Sequence, residues 1–345
     1  MSVLLERVRI SGFRTIASLA FSPPSVCALV GEPATGKSAV LEALASYLAG
    51  EDVGVEAVHP GGAPPELVFH RAASRTHAVG GRRSPGRAAR GLVAEIETRC
   101  RDRAGGLVLL IEEPELYLRP QGQRYLYRLL HRLADLGNQV LYSTHSPAFL
   151  NVARLEELAF VRHDSNRGTY VHQPGPLPSR DEAFEFANEF DAERAELFLA
   201  RGALLVEGRT EKLVFPFVFR ALGHDVDEDA LTIVECGGKS RIALFAQVCE
   251  LCRIPFVAVH DRDSRPGGGP PIPAERKVND LVRTTVGDAR LVVLDPDFEG
   301  ASGLRGHKHK PEHAWEHFIR LERAEMPAPL VRAATRLLDL VTEYT

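Results

Sequence analysis

The chain lacks several features that would assign it to common classes of protein. Its 345 residues contain no apolar run long enough to cross a membrane, and the opening residues carry charges where a signal peptide needs an apolar stretch. The five cysteines are an odd number, and the Cys249-x-x-Cys252 pair has no second pair at zinc-binding spacing. We therefore expect a cytoplasmic protein with no membrane partner, in which these two cysteines share a helix face.

An overall basic charge is also absent, and lysine is scarce. The formal net charge is −4, so the whole composition does not indicate a nucleic-acid partner. Between residues 70 and 103, however, nine arginines stand against three acids, which is typical of a phosphate-binding surface or equally of a solvated loop. Only six of the 42 lysines and arginines are lysine, so a lysine here hints at a place that requires a compact charge, such as a phosphate site.

The segment GEPATGKS at residues 31–38 fits the pattern G-x-x-x-x-G-K-[ST] at each fixed position. An apolar stretch before it predicts a buried strand, and the Ala/Leu-rich stretch after it predicts a helix from Ala39 to about Leu48, which argues against a chance glycine-rich turn. Backbone N–H groups of such a loop surround a polyphosphate, Lys37 would reach its β- and γ-phosphates, and the Ser38 hydroxyl would bind Mg²⁺. The predicted nucleotide-binding residues are Gly31, Glu32, Pro33, Ala34, Thr35, Gly36, Lys37 and Ser38.

Two later strand ends carry polar residues suited to nucleotide chemistry. The apolar run at 107–111 ends in two carboxylates, of which Glu112 would join the metal shell and Glu113 would orient or deprotonate water. The run at 139–143 leads to His145, which would lie beside a γ-phosphate or would otherwise be a plain surface-loop histidine. We expect residues 50–65 to form a loop because they are rich in glycine, proline and acids.

A Ser-Pro-Gly segment precedes a helix predicted from about Ala88 to Cys100. Ser84 and Gly86 could simply cap that helix, or they could offer a hydroxyl and backbone N–H groups to a nucleotide held by another subunit.

The second half alternates apolar strands with helical segments, which predicts a parallel sheet with ligands at the strand C-terminal ends. Acids end these strands, and carboxylates that converge on one edge repel each other unless a cation neutralises them, so their oxygens indicate Mg²⁺ or Mn²⁺. Each acid alone is equally typical of a solvated loop, and only their coincidence favours a metal site. The four acids in question are Glu207, Asp261, Asp263 and Glu299.

GEPATGKS, LLIEEPELYLRP and YSTHSPAFL, in this order, resemble the nucleotide-binding fold of ABC-type ATPases, and most closely the chromosome-maintenance and repair branch. The resemblance implies a homodimer of ATPase heads that enclose ATP, with Ser84 to Gly86 as the signature of the opposite head. This signature is degenerate, and residues 39–100 contain no glutamine to serve as the family's Q-loop. The interval between loop and signature is also too short for a coiled-coil arm. ATP binding is therefore better supported than fast hydrolysis.

LLVEGRTEK, the CGGK turn, HDRDS and LDPDFE resemble a Toprim domain, and an ABC-type ATPase joined to Toprim is the architecture of the OLD (overcoming lysogenisation defect) nucleases. The resemblance implies DNA cleavage with two metals, one held mainly by Glu207, Asp261 and Asp263. The other would be held by Glu207 or Glu211 together with Glu299. A metal-bound water would attack the phosphodiester while a lysine stabilises the developing charge. That lysine is Lys308 or Lys310, which on composition alone could equally hold the DNA backbone.

The predicted fold class is α/β, an ABC-type P-loop ATPase domain followed by a Toprim domain with a Rossmann-like parallel sheet. The predicted boundaries are 1–170 for the ATPase domain, 171–200 for a linker and helix, 201–310 for the Toprim domain, and 311–345 for C-terminal helices with Trp315 turned inward. The predicted function is an ATP-binding, metal-dependent DNA endonuclease or nickase, with ATP and Mg²⁺ (or Mn²⁺) as cofactors and a defence or repair protein as a further partner. The alternative is an ATP-switched DNA-binding or defence-complex subunit whose Toprim domain does not cut.

Overall fold

A computed structural model describes residues 4–58, 66–70, 85–103, 105–164, 168–175, 194–264, 269–304 and 310–343. The chain divides into two compact units, Met1–Leu199 and Ala200–Thr345. Within the described ranges, no helix combines the length and the apolar character needed to cross a membrane.

The first unit contains a six-stranded sheet with the strand order β5-β6-β7-β3-β8-β9. All neighbouring pairs run parallel except β8 and β9, which are antiparallel. The central strands β3, β6 and β7 are rich in apolar residues and buried along almost their whole length, because both of their faces are covered. The strands are β3 (Val26–Val30), β5 (Glu66–His70), β6 (Leu107–Glu112), β7 (Gln139–Ser143), β8 (Leu158–Asp164) and β9 (Gly168–His172).

A smaller antiparallel sheet of the same unit has the order β2-β1-β4. Its strands are β1 (Arg7–Phe13), β2 (Ile16–Phe21) and β4 (Val55–Val58). Apolar residues of both sheets meet the buried face of helix α1 (Lys37–Leu48), including Val40, Leu41 and Leu44. The helix α1 thus holds the two sheets of this unit together.

Two more helices of the first unit are α2 (Pro85–Asp102) and α3 (Pro120–Asp135). Three predictions need correction in this unit. Residues 55–58 form β4 instead of a loop, α2 begins at Pro85 instead of about Ala88, and β9 extends to His172, two residues past the predicted ATPase boundary. Edge pairing with β1 makes the short Val55–Val58 segment a strand although its surroundings are typical of a loop.

The second unit contains a four-stranded parallel sheet with the order β11-β10-β12-β13. Its strands are β10 (Gly202–Val206), β11 (Leu231–Glu235), β12 (Phe256–Asp261) and β13 (Leu291–Leu294). Its helices are α4 (Arg209–Ala221), α5 (Lys239–Cys252), α6 (Pro273–Val286), α7 (Phe298–Ser302), α8 (Lys310–Phe318) and α9 (Ala328–Glu343). The apolar faces of α4 and α9 cover the sheet and form the core of this unit.

Two expectations about apolar residues have opposite outcomes. Cys249 and Cys252 are free, fully buried thiols on α5, as expected for a helix face. Trp315 does not point inward, since 47% of its surface is exposed, and Ala314 and Phe318 occupy the buried positions of α8 instead. The helical period of α8 was therefore predicted one residue out of phase.

Candidate functional site

Three strand ends meet at one edge of the six-stranded sheet because β6, β7 and β3 are neighbours in it. In register, Glu112 pairs with Ser143 of β7, and Ser143 pairs with Leu29 of β3. We call this place the nucleotide edge, and it comprises residues 31–38, 112–115 and 143–145. The sheet order thus brings together three motifs that are spread over more than one hundred residues of sequence.

The backbone of the loop at 31–38 requires small residues at two positions. A Cβ atom on Gly31 would collide with the carbonyl oxygen of Val161 in the neighbouring strand β8. Gly36 has φ of 108° and caps α1, and a Cβ there would lie 3.0 Å from the Thr169 hydroxyl oxygen. The loop is therefore packed against β8 and β9, and its glycines permit that close approach.

Lys37 lies inside the loop with only 6% of its surface exposed. Its Nζ donates to the carbonyl oxygens of Gly31, at 2.9 Å, and Glu32, at 2.7 Å. Burial lowers the pKa of Lys37 to about 8, and the charges of Glu113, Glu115 and Glu32 oppose that shift. The ammonium group is thus held at the loop by neutral acceptors, an arrangement that leaves its charge available to a phosphate.

Thr169 was not predicted from sequence, although it braces the loop. It is fully buried on β9, and its hydroxyl donates to the carbonyl oxygen of Thr35 at 3.0 Å. Thr35 in turn donates its hydroxyl to the Glu32 carbonyl at 2.9 Å. No motif marks Thr169, because its role depends on how β9 pairs with β8.

Glu112 ends β6, and Glu113 follows it with a positive φ of 48°. A left-handed conformation is uncommon for a non-glycine residue and is found most often at turns and functional sites. The backbone N–H of Glu113 lies 3.0 Å from the Ser143 carbonyl oxygen and so fixes this turn against β7. Both predicted carboxylates therefore lie at the nucleotide edge.

Glu115 is a second residue that sequence analysis left without a role. Its Oε1 accepts a 2.6 Å hydrogen bond from the backbone N–H of His145, while its buried Oε2 has no hydrogen-bond partner within the described ranges. Burial raises the pKa of Glu115. The pKa of His145 is lowered, first by partial burial and then by the charge of Lys37, which indicates that the two side chains are near each other.

The other predicted nucleotide-binding residues differ in how exposed they are and in whether the structure describes them. Ser38 is half-buried in the first turn of α1, while Glu32, Pro33 and Ala34 are exposed on the outside of the loop. Ser84 lies outside the described residues. Gly86 lies in the first turn of α2, so Pro85 stands at the helix start where proline is favoured.

The second sheet gathers acids at the C-terminal ends of β10, β12 and β13. We call this group the acidic edge, and it comprises Glu207, Glu211, Asp261, Asp263 and Glu299. Glu207 directly follows β10 and accepts a hydrogen bond from the backbone N–H of Asp261, the last residue of β12. The neighbouring parallel strands thus bring the first and second acidic motifs into contact, as their order in the sheet requires.

Charge crowding at the acidic edge appears in the pKa values. Burial, together with repulsion from Glu211, Glu207, Asp263 and Glu299, raises the pKa of Asp261 to about 8. Burial and the charges of Glu207 and Glu299 likewise raise the pKa of Glu211 to about 7. The five predicted acids therefore share one electrostatic environment.

Lys239 supplies a positive charge to this edge and was not among the predicted site residues. It begins α5 after Gly238, is 6% exposed, and its Nζ contacts a carboxylate oxygen of Asp263 and lies 3.4 Å from Glu275. Its charge also opposes the upward pKa shift of Glu207. The scarcity of lysine and the Gly-Gly-Lys turn were the available signals, but only the fold shows which acids the lysine meets.

The donor set of the acidic edge suits a hard divalent cation. Glu207 Oε2 and Asp261 Oδ1 are buried oxygens without a hydrogen-bond partner in the described part of the chain. Carboxylate oxygens of this kind are ligands that Mg²⁺ and Mn²⁺ accept. The side chains as they lie are not a closed cage, because no three His, Cys, Asp or Glu side chains among the described residues are arranged to hold an ion. An ion would therefore need some of these carboxylates to rotate.

The structure describes the side chain of neither candidate catalytic lysine. Lys308 lies outside the described residues, and Lys310 begins α8 without a described side chain. Their predicted role stays a prediction.

Comparison with known families assigns both halves of the chain. The model of the OLD (overcoming lysogenization defect) protein-like TOPRIM domain matches residues 198–263. An AAA ATPase domain model matches residues 91–150, and a family described only as a protein of unknown function matches residues 3–54. The predicted fold class, an α/β ATPase domain followed by a Toprim domain, is confirmed.

Curated relatives agree with this assignment. An OLD nuclease of Thermus scotoductus is 35% identical over 255 residues, which is 67% of this chain and 48% of that protein. The Old nuclease of Escherichia phage P2 is 29% identical over 41% of this chain and 25% of its own length, and the Septu protein PtuA of Bacillus thuringiensis is 34% identical over 28% and 24%. The resemblance to the OLD family is confirmed, while the chain spans about half the length of the first of these relatives.

Solved structures are similar over parts of the chain. The C-terminal region of the Burkholderia pseudomallei OLD protein covers 42% of this chain and all of its own, with 18% identity and a TM-score of 0.35. The SMC head domain from Thermotoga maritima covers 51% of this chain and all of its own, with 15% identity and a TM-score of 0.34.

Proposed function

We propose that this chain is an ATP-regulated, divalent-metal-dependent DNA endonuclease or nickase of the OLD type. The observation that carries the proposal is the acidic edge, where five acids converge and the pKa of Asp261 is raised to about 8. This edge belongs to the domain that the OLD-like TOPRIM model matches. Acids whose burial and mutual repulsion raise their pKa values are typical of sites completed by a cation.

Glu207, Asp261 and Asp263 would hold one divalent ion, and Glu207 or Glu211 would hold a second together with Glu299. When bound, such ions supply Lewis-acid charge to a phosphodiester and lower the pKa of a coordinated water. The chain's own part is to bring the carboxylates to one edge, to exclude water around Asp261, and to keep Lys239 beside Asp263 as a fixed positive charge.

The nucleotide edge would bind ATP, with Lys37 on the phosphates and Ser38 and Glu112 in the shell of a Mg²⁺ ion. Glu113 would orient the attacking water, and His145 would contact the γ-phosphate. Glu115 supports this arrangement because its hydrogen bond to the His145 backbone ties two of the three motifs together. Two copies of the chain would enclose the nucleotide, with Ser84 and Gly86 of one copy completing the site of the other.

DNA is the proposed substrate, a homodimer the proposed assembly and the cytoplasm the proposed location. A defence or repair protein is a further proposed partner. ATP would control cleavage through dimerisation of the heads.

A second candidate is an ATP-switched DNA-binding or defence-complex subunit that does not cut. In it, the acidic edge would hold a divalent ion without leading to strand cleavage. The two candidates differ in whether a bound divalent ion leads to strand cleavage.

The test is cleavage of supercoiled plasmid with Mg²⁺, Mn²⁺ or Ca²⁺, each with and without ATP. We expect nicking by the wild type with Mg²⁺ or Mn²⁺ and its loss in Asp261→Ala. Asp339→Ala, which removes an exposed acid from α9, is the matched control and should cut normally. Equal cutting by Asp261→Ala and the wild type would contradict the assigned metal site. Absence of cutting in every lane, with ATP still bound, would support the second candidate.

A further inference from the structure

A polar cavity lies beside the acidic edge, on the other side of β12. It has a volume of about 390 Å³ and lies between helix α6 and the ends of β12 and β13. Because side chains alternate along a strand, His260 and Asp261, the last two residues of β12, face opposite sides of the sheet. His260 and Arg262 both line this cavity, so it shares a wall with the predicted metal ligands.

The face of α6 that borders the cavity is polar, although it faces the sheet. Its lining residues are Arg276, Asn279, Asp280 and Arg283, which are spaced i, i+3, i+4 and i+7 and so form one stripe. A helix normally turns an apolar stripe toward the rest of its domain, and on α6 the buried residues are Val282 and Val286, outside the polar stripe. The polar stripe therefore has no packing purpose, and it faces open space of ligand size.

The positively charged side chains that line the cavity are arginines. Arg262 is already paired with Asp295 at 2.6 Å. Arg276 donates through Nε to the Pro271 carbonyl at 3.3 Å, and within the described ranges no carboxylate pairs with it. Arg283 pairs at 3.2 Å with Asp288, which is 84% exposed, and such surface pairs are weak. Two guanidinium groups on one helix face thus remain open to an anion, and guanidinium binds phosphate in a bidentate manner.

Two acceptors at the cavity, one on β12 and one on α6, have no donor among the described residues. His260 is 1% exposed, and its Nδ1 lies 2.7 Å from the Asp261 carbonyl oxygen, so Nδ1 carries the proton and Nε2 is an acceptor. His260 Nε2 and Asn279 Oδ1 are buried and have no donor among the described residues. Asn279 also donates through Nδ2 to the Arg262 carbonyl at 3.0 Å, which ties α6 to the loop between the two predicted metal ligands.

We propose that this cavity is a nucleotide subsite for the DNA strand that enters the acidic edge, with Arg276 and Arg283 holding a phosphate next to the one that is cut. The proposal rests on the proposed function and extends it by naming where the substrate strand is held. A nucleotide unit suits the cavity because its phosphate can bind the two arginines. The N–H groups on its base can donate to His260 Nε2 and Asn279 Oδ1. The link from Asn279 to the Arg262 backbone means that an occupant of the cavity contacts the same loop that bears Asp261 and Asp263.

The experiment measures DNA affinity by fluorescence anisotropy, with Ca²⁺ present and no Mg²⁺, across a range of salt concentrations. We expect Arg276→Ala/Arg283→Ala to bind about 10- to 30-fold more weakly than the wild type, and the slope of log K against log salt concentration to fall in magnitude by about 1, as for one lost phosphate contact. The control is Arg320→Ala/Arg332→Ala, which removes the same charge from exposed positions of the same unit and should bind DNA as the wild type does.

Arg276→Glu is a second variant at an exposed position, and its charge reversal should weaken binding at least as much while thermal unfolding stays unchanged. Equal DNA affinity of the wild type and both cavity variants would overturn the subsite and leave the proposed nuclease intact. A wild type that binds no DNA at all would instead overturn the proposed substrate, and with it the subsite.

Discussion

The two sheet edges contain the same local element with opposite surroundings. In each, a parallel strand leads to a glycine and then to a lysine that begins a helix, Gly36-Lys37 in one unit and Gly238-Lys239 in the other. Both lysines are 6% exposed. Lys37 donates to two backbone carbonyls, whereas Lys239 contacts the carboxylates of Asp263 and Glu275.

This difference agrees with the roles proposed for the two sites, phosphate binding at the first and cation binding at the second. Carbonyl oxygens are neutral, so the charge of Lys37 is not cancelled and can act on a phosphate. The charge of Lys239 is already shared among acids, and those acids still outnumber it at the acidic edge. The position of a lysine in a strand–glycine–helix turn therefore does not determine its role, which depends on the neighbouring strands.

The largest expected effect comes from removing the first of these lysines. Lys37→Ala should weaken ATP binding by roughly 100-fold or more, about 3 kcal/mol, because the charged hydrogen bonds to the phosphates are lost. Binding of a fluorescent ATP analogue measures it, with the exposed Lys277→Ala as the charge-matched control. Retained affinity would refute the assignment of the phosphate loop.

The acidic edge should respond to pH in the way its raised pKa values require. Because burial and neighbouring acids raise the pKa of Asp261 to about 8, its proton favours the folded state at low pH, and that stability is lost as the pH rises through 8. That loss is spread over the interval between the ordinary value near 4 and the raised value, so in EDTA we expect the stability of Asp261→Asn relative to the wild type to increase by about 2–3 kcal/mol between pH 6 and pH 9. Thermal unfolding at both pH values measures this, and a gap independent of pH would contradict it.

Replacing Lys37 or Lys239 by methionine should change the free energy of unfolding by different amounts. Lys239→Met leaves Asp263 and Glu275 without their cation, which should destabilise the protein in EDTA by about 1–2 kcal/mol, since both acids are partly exposed. Lys37→Met breaks no carboxylate pair and relieves the burial of a charge, so we expect a change below about 0.5 kcal/mol. Thermal unfolding with and without Mn²⁺ is the measurement, and Mn²⁺ should restore only Lys239→Met. Equal losses in both variants would mean that the two lysines have similar roles.

The smallest expected effect concerns the brace behind the phosphate loop. Thr169→Val removes the hydroxyl that donates to Thr35 and should weaken ATP binding about 3- to 5-fold, as for one neutral hydrogen bond. Titration with the same ATP analogue measures it. Thr284→Val, an exposed threonine on α6 with the same substitution, is the control. An unchanged affinity would show that packing against β9 alone fixes the loop.

Much of the fold could be predicted because its signals are local. Apolar runs such as Val26–Val30 and Leu107–Glu112 are buried on both faces, so composition alone identifies them as central strands. The strand Val55–Val58 could not be found in this way, since its pairing partner β1 lies more than forty residues away. The prediction that Trp315 points inward was wrong for a related reason. The buried face of a short helix depends on what packs against it.

For the sites, the sequence by itself determined which residues stand at strand ends: the phosphate loop, Glu112 and Glu113, and the acids of the second sheet. Local pattern suffices there, since a glycine-rich turn or a terminal carboxylate is defined by its immediate neighbours. Only the tertiary structure decided which of these residues meet, that Thr169 and Glu115 support the nucleotide edge, and that Lys239 faces acids while Lys37 faces carbonyls. Strand order and burial set those contacts, and both arise from pairings between distant parts of the chain.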